Sequence, residues 1–153
     1  MIELTEGQKA PDFNAIDQNG KILNLSDFSG KDIILYFYPK DDTPGCTAEA
    51  CSFRDNYQSL KNEGFEVLGV STDDEKSHQK FSTKYNLPFP LIADTDKKIV
   101  EAYGVWVEKN MYGKKYMGVA RKTFVIDKKG NIRKIIDKVD TKNSSGQVLD
   151  LLK

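Results

Sequence analysis

The chain has 153 residues, and its 23 basic and 23 acidic side chains give a formal net charge of zero. This length predicts one domain over residues 1–153, which buries roughly 70% of its unfolded surface and needs no metal or disulfide to hold a core. The balanced charge argues against nucleic acid or an anionic membrane as a partner, and no apolar stretch approaches the roughly 20 residues of a spanning helix.

Strands and helices alternate along the first half of the chain. Residues 11–25, with Asn19-Gly20 as the turn, predict an N-terminal β-hairpin. The apolar run 32–38 predicts a strand buried on both faces, and residues 65–71 predict a second one. Apolar positions in steps of three and four predict a helix over about 47–63 between these two strands.

The second half of the chain predicts two helices, a hairpin and a last helix. The helices span about 74–85 and 96–103, the hairpin strands are 123–127 and 131–136, and the last helix starts near Ser144. A β-α-β beginning followed by a hairpin indicates an α/β domain with a central mixed sheet flanked by helices. A thioredoxin-like fold with an N-terminal hairpin matches this order best.

Other polar and apolar features favour structural roles. We expect His78, on the same helix stripe as Phe81, to be a partly buried structural histidine. The aspartate pairs at 41–42, 73–74 and 94/96 lack the spacing of a calcium loop, which favours caps and turns. A loop-like region before residue 121 is expected to pack on the protein body, with a pocket wall or a partner-docking surface as the alternatives. Its apolar residues are Trp106, Met111, Tyr112, Tyr116 and Met117.

Two cysteines are too few for a secreted disulfide scaffold, and the N-terminus lacks the features of a signal peptide, so we expect a cytoplasmic protein. Two such thiols are usually inert core residues, half of a metal site, or redox groups. Their spacing is not that of a zinc site and His78 is the only histidine, so we expect no metal.

Cys46 lies where a strand has ended and a helix begins, after a turn at residues 43–45. A helix N-terminus presents free N–H groups and about half a positive charge, and both favour a thiolate over a thiol. Cys46 shares the helix stripe of Ala50 and Phe53, so its side chain should face the protein body.

Cys51 follows Cys46 by five residues. On one regular helix it would lie about 140° around the axis and roughly 8–9 Å away between Cα atoms. A disulfide needs less than about 7 Å. If both cysteines lie in one helix, its first turns must unwind before the two can bond.

The segment 38–55, YPKDDTPGCTAEACSFRD, resembles the active-site signature of the peroxiredoxins. Within them it resembles the bacterioferritin comigratory protein or peroxiredoxin Q subfamily. Pro39, Thr43 and Cys46 match the motif Pro-x-x-x-Thr/Ser-x-x-Cys, and Cys51 matches the subfamily's second cysteine. The similarity covers nearly the whole chain and includes the stretch 118–127.

This resemblance implies an antioxidant enzyme that reduces peroxides with a thiolate and uses no cofactor. It implies recycling by thioredoxin or a similar dithiol, and a monomer, because no partner subunit need supply the resolving thiol. In this resemblance Cys46 is the peroxidatic thiol and Cys51 is the resolving thiol. Thr43 supplies a hydroxyl that binds the thiolate and the peroxide, and Pro39 shields the thiolate from water. Arg121 is the cation beside the sulfur, and Glu49 supports that arginine.

Two other functions stay open on the residues alone. A general thiol–disulfide oxidoreductase would normally carry a C-x-x-C pair, which this chain lacks. A non-catalytic thioredoxin-fold binding or holdase module would have no need of an activated thiolate. The choice between hydrogen peroxide and organic hydroperoxides is also open.

Overall fold

The computed structural model describes residues 3–152 as a mixed α/β fold built on a five-stranded sheet. The nine strands are β1 Asn14–Ile16, β2 Ile22–Asn24, β3 Asp32–Phe37, β4 Phe65–Ser71, β5 Leu91–Ala93, β6 Trp106–Met111, β7 Lys114–Val119, β8 Lys122–Ile126 and β9 Ile132–Ile136. The five α-helices are α1 Pro44–Asp55, α2 Tyr57–Asn62, α3 Glu75–Tyr85, α4 Lys98–Ala102 and α5 Ser144–Leu151, and a short 3₁₀ helix spans Leu25–Phe28.

The central sheet has the strand order β5-β4-β3-β8-β9. Strands β3, β4 and β5 run parallel, whereas β8 is antiparallel to both β3 and β9. Side chains of β3 alternate between two buried clusters, with Leu35 and Phe37 on one face and Ile34 and Tyr36 on the other. The predicted mixed sheet and its central apolar strand are therefore confirmed.

The predicted helix over 47–63 is two helices, α1 and α2, separated at Asn56. Helix α1 also begins earlier than predicted, because Pro44 occupies its first position and Thr43 its N-cap. Proline suits this position, since its φ is already helical and the first helical N–H needs no intrahelical acceptor. Gly64 follows α2 with a φ of +89°, a conformation that glycine adopts without strain where a helical region ends.

The two small sheets are hairpins, β1–β2 and β6–β7. The first was predicted; the second lies where a loop-like region was expected. Strands β6 and β7 pair from Trp106↔Val119 to Met111↔Lys114 and are joined by Tyr112-Gly113, both at positive φ. Two successive residues at positive φ form the tight turn that suits a two-residue hairpin.

We expected the apolar side chains of this region to pack on the protein body, and for most of them this expectation was wrong. Trp106 is half-buried against the core, but Met111, Tyr112, Tyr116 and Met117 are exposed. The hairpin satisfies its backbone hydrogen bonds internally, so its outer side chains need no contact with the body.

Among residues 3–152, no helix is both long and apolar enough to cross a membrane.

Candidate active site

Cys46 is the third residue of α1, and only 1% of its surface is exposed. Its side chain belongs to the same buried cluster as Ala50 and Phe53, which confirms the predicted orientation towards the body. The backbone N–H groups of the first helical turn lie at this end of α1, so the thiol sits where the helix favours negative charge.

Arg121 contacts this sulfur across 75 positions of sequence. It lies between β7 and β8, and because Lys122 pairs with Phe37, the arginine is held beside the end of β3 that leads to Cys46. Its Nη2 donates to Cys46 Sγ at 3.1 Å, and its Nη1 donates to Glu49 Oε1 at 2.8 Å. The guanidinium thus bridges the thiol and the carboxylate and fixes a positive charge at sulfur.

Gly45 makes room for the contact between Arg121 and Cys46. This role of Gly45 was not predicted from the sequence. A Cβ at Gly45 would lie 3.1 Å from Arg121 Nη2 and 3.7 Å from Cζ. A side chain at this position would therefore crowd the guanidinium that contacts the sulfur. No signal of this role was present in the sequence, because glycine is expected in the turn that was assigned to residues 43–45.

Glu49 is fully buried, and its second oxygen has no hydrogen-bond partner among the described residues. Burial raises the pKa of Glu49 to about 7, although the charge of Arg121 and its hydrogen bond act in the opposite direction. Burial lowers the pKa of Arg121, but the hydrogen bond and charge of Cys46 and the contact with Glu49 outweigh it, so the net pKa is raised. The guanidinium therefore stays charged.

Thr43 and Pro39 lie on the loop between β3 and α1, and both are half-buried. Thr43 Oγ1 donates to the carbonyl of Lys40 at 2.9 Å, and the carbonyl of Thr43 accepts from Thr47 N at 2.8 Å. The hydroxyl oxygen of Thr43 keeps lone pairs for another donor, so it can accept from an incoming hydroxyl.

Cys51 is half-buried within α1, and both cysteines are free thiols. Both lie in one continuous helix, which meets the condition stated from the sequence, and their Cα atoms are therefore too far apart for a disulfide in this state. Beyond Cys51, Ser52 Oγ lies 3.2 Å from Ser145 Oγ, and Arg54 Nη1 donates to the carbonyl of Tyr85 at 2.9 Å.

Lys109, on β6, is a second cation at the edge of this site. Burial and the charge of Arg121 lower the pKa of Lys109, whereas the charge of Cys46 acts to raise it. Its aliphatic stem lies over Gly118, where a Cβ would come 3.2 Å from its Cδ. Nothing in the sequence pattern of this hairpin had indicated a group near the thiol.

Asp41, Asp73 and His78 place possible metal-ligand atoms within 4.8 Å of one another. Their atoms are engaged with each other and with backbone groups: His78 bonds Asp41 and the carbonyl of Ile92, and Asp73 accepts from Asp41 N. We therefore assign no metal to them. Asp74 caps α3, as predicted, whereas Asp41 belongs to this buried network rather than to a cap.

Comparison with known proteins identifies the family. The AhpC/TSA family model matches residues 6–135. A putative peroxiredoxin Bcp of Coxiella burnetii is 51% identical over 99% of this chain and 100% of its own length, and peroxiredoxin Bcp of Bacillus subtilis is 48% identical over 96% and 94%. The chain belongs to the peroxiredoxins.

Solved structures place this peroxiredoxin in the Bcp and peroxiredoxin Q group. A PrxQ mutant from Xylella fastidiosa superposes with a TM-score of 0.93 at 31% identity, over 99% of this chain and 97% of that one. A structure of Xanthomonas campestris bacterioferritin comigratory protein, described for its alkyl peroxide reduction activity, gives 0.86 at 36% identity, over 92% and 89%. The thioredoxin-like fold is thus confirmed, and the chain is a thiol peroxidase with an antioxidant function, which acts on a peroxide and requires a thiol reductant.

Proposed function

We propose that Cys46 is the thiol that attacks the peroxide and that Cys51 resolves the product as an intrachain disulfide. The observation that carries this assignment is the contact of 3.1 Å between Arg121 Nη2 and Cys46 Sγ at a helix N-terminus. A fixed cation and free backbone N–H groups both favour the thiolate, which is the nucleophilic form of cysteine.

The first step oxidises Cys46. Its thiolate attacks the terminal oxygen of the peroxide, so that an S–O bond forms while the O–O bond breaks and two electrons pass from sulfur to oxygen. The leaving alkoxide or hydroxide takes a proton from solvent, and Cys46 becomes a sulfenic acid. Arg121 stabilises negative charge on the leaving oxygen, Thr43 accepts from the peroxide hydroxyl, and Pro39 keeps water from the thiolate.

The second step forms the disulfide. The Cys51 thiolate attacks the Cys46 sulfur, an S–S bond forms, and hydroxide leaves and is protonated to water. Because the two cysteines lie five residues apart in α1, this part of the helix must unwind first. Glu49 keeps Arg121 at the sulfur until then, through the contact of 2.8 Å with Nη1.

A dithiol reductant then returns both cysteines to thiols, and we propose thioredoxin or a similar protein for this step. We propose that the single domain acts as a monomer, since its own chain supplies the second thiol. The reducing cytoplasm, where such thiols are regenerated, is the compartment we propose. Both hydrogen peroxide and organic hydroperoxides are proposed substrates, and the alkyl peroxide activity of the Xanthomonas campestris relative supports the latter.

The reaction of the reduced protein with hydrogen peroxide, followed by stopped flow, tests the first step. We expect a rate constant several orders of magnitude above that of free cysteine, and Cys46→Ser should abolish the reaction. Cys51→Ser is the matched control, because it removes the other thiol of α1 and should leave the first step intact. A wild-type rate no higher than that of free cysteine would contradict the proposal.

Peptide mapping of the oxidised protein tests the second step. One intrachain bond between Cys46 and Cys51 is expected in the wild type. The Cys51→Ser variant should instead accumulate the sulfenic acid and then over-oxidise to sulfinic acid. A disulfide between chains would contradict intrachain resolution.

A further inference from the structure

His78 lies in α3, fully buried, and both of its ring nitrogens face acceptors. Its Nε2 is 2.9 Å from the carbonyl oxygen of Ile92, which can only accept a hydrogen bond. Its Nδ1 is 2.7 Å from Oδ2 of Asp41. A neutral imidazole carries one N–H and could satisfy only one of these two contacts, so the geometry calls for the doubly protonated, charged ring.

The carboxylate of Asp41 is held from every side by donors. Its Oδ1 accepts from Tyr38 OH at 2.6 Å, and its Oδ2 also accepts from Ser77 Oγ at 2.8 Å. Its backbone N–H donates to Asp73 Oδ2 at 2.9 Å. Only 7% of the surface of Asp41 is exposed, and its two carboxylate oxygens face the hydroxyls of Tyr38 and Ser77 and the buried ring of His78.

The position of Asp41 in the chain connects this pair to the thiol. Asp41 lies two residues after Pro39 and two before Thr43, on the loop that leads into α1. Asp42 beside it is exposed and has a φ of +56°, so the chain bends sharply between Asp41 and the helix. The ion pair therefore fixes the middle of the loop whose ends carry the groups proposed to shield the thiolate and bind the peroxide.

We propose that His78, as an imidazolium paired with Asp41, is a positioning residue for the peroxide site, and that loss of its proton releases the 39–43 loop. The inference rests on the proposed roles of Cys46 and Thr43. In the neutral ring one nitrogen would turn a lone pair towards an acceptor, either the Asp41 carboxylate or the Ile92 carbonyl. A buried acceptor facing an acceptor is repulsive, and the loop would lose its anchor.

The charges around His78 determine the pH range of this effect. Burial opposes the charged ring, but the hydrogen bond and charge of Asp41, the Ile92 carbonyl and the charge of Asp73 outweigh it, so the pKa of His78 is raised above its ordinary value of 6.5. Tyr38 is the other titratable group that faces it, and burial keeps the pKa of that phenol well above 10. The pair is thus intact below pH 6.5 and is lost as the pH rises through the raised pKa of His78.

Asp41→Asn is the decisive variant, and Asp42→Asn, the same change at the exposed neighbour, is its matched control. An amide at position 41 can donate to a neutral Nδ1 while Nε2 keeps its proton for Ile92, so Asn suits the uncharged ring. We expect the wild-type rate constant with hydrogen peroxide to fall on the alkaline side, and Asp42→Asn to show the same fall. The rate constant of Asp41→Asn should not fall on the alkaline side, and at neutral pH it should stay within about fivefold of the wild-type value.

Nitrogen NMR of the single imidazole measures the proton directly. The wild type should show two N–H groups at pH 6, below the ordinary pKa of histidine, and its NMR titration midpoint should coincide with the midpoint of the alkaline fall in rate. Asp41→Asn should show a neutral ring at the same pH. A neutral ring in the wild type, midpoints that differ, or an alkaline fall kept in Asp41→Asn would each overturn the inference.

The NMR titration and the midpoint comparison use only the wild type, so a poorly folded variant would not leave the inference untested. Failure of the proposed function has a different signature, namely a wild type that reacts no faster than free cysteine at any pH.

Discussion

The first turn of α1 and the part around Cys51 are held in different ways. Around Cys46, the half-buried guanidinium of Arg121 fixes the helix through its contacts with the sulfur and with the buried carboxyl group of Glu49. Around Cys51, the helix is held by apolar packing and by contacts that involve no buried pair of opposite charges, chiefly the hydroxyls of Ser52 and Ser145. The first region is therefore preorganised for reaction with peroxide, whereas the second can detach and return without separating ions in the interior.

The cost of detachment sets how often the second region opens. Phe53 is fully buried, and exposing a side chain of this size costs about 3 kcal/mol. Opening then occurs in a small fraction of molecules at any moment, so the site around Cys46 stays assembled most of the time. Four substitutions, from the largest expected effect to the smallest, break or sharpen this contrast.

Arg121→Gln should have the largest effect, because it removes the charge from the assembled region. We expect the rate constant with hydrogen peroxide to fall by about 10²–10³-fold, as when a preorganised donor is lost. Stopped flow measures it, with Arg133→Gln, an exposed arginine of β9, as the matched control. An Arg121→Gln rate within a few-fold of wild type would show that the helix N-terminus alone activates Cys46.

Glu49→Gln tests the cost of the buried charge in the same region. With the pKa of Glu49 at about 7 in the folded protein and near 4.5 when unfolded, the folded state loses stability as pH rises from 4.5 to 7. The loss is on the order of 3 kcal/mol and is complete above pH 7. Glutamine does not ionise, so the melting temperature of the variant relative to wild type should rise from pH 5 to pH 8.

Charge removal at the surface provides the comparison for this experiment. Glu63→Gln removes an exposed carboxylate just after α2 and should shift the melting temperature alike at both pH values. If the difference in melting temperature between Glu49→Gln and wild type were also the same at pH 5 and pH 8, Arg121 would compensate the buried charge of Glu49 fully.

Ser52→Ala should weaken the second region without touching the first. It removes the hydroxyl contact to Ser145 and a bond from the Ser145 N–H, which together contribute about 1 kcal/mol to the closed helix. Disulfide formation after one equivalent of peroxide should then be roughly fivefold faster, with an unchanged first step. Unchanged disulfide formation would place the barrier elsewhere in α1.

Asp55→Asn should have the smallest effect, although it breaks an ion pair in the same region. Arg54 and Asp55 are 2.9 Å apart, but their side chains are 32% and 62% exposed, and such pairs contribute about 0–0.5 kcal/mol. Both kinetic steps should match wild type within twofold. A larger change in disulfide formation would show that surface charge, rather than the buried hydroxyls, holds this region.

Much of the fold could be predicted from the sequence because the signals were local. The run 32–38 is apolar without alternation, which is typical of a strand covered on both faces. The hairpin 106–119 was missed because its exposed side chains are a mixture of apolar and charged residues, so no period of two is visible. The break at Asn56 was missed because the helical stripe continues across it to Leu60.

The site could be predicted only in part, for a physical reason. The helix N-terminus at Cys46 is a local feature, and the strand–helix boundary alone indicated it. The contact with Arg121 depends on the pairing of β3 with β8, and a single sequence does not reveal it; only the resemblance to a family placed Arg121 there. The pairing of Asp41 with His78 also joins distant parts of the chain, and the resemblance to the family did not indicate it.

The break at Asn56 has a consequence for amide hydrogen exchange. Helix α1 ends there, and α2 keeps its own buried side chain, Leu60, against the sheet. The unwinding proposed to join the cysteines can stop at this junction, so amides of α1 beyond its first turn should exchange as one unit while those of α2 and β4 stay protected until global unfolding. The enzyme would thus confine a repeated loss of structure to part of one helix and keep the rest of its core intact through every turnover.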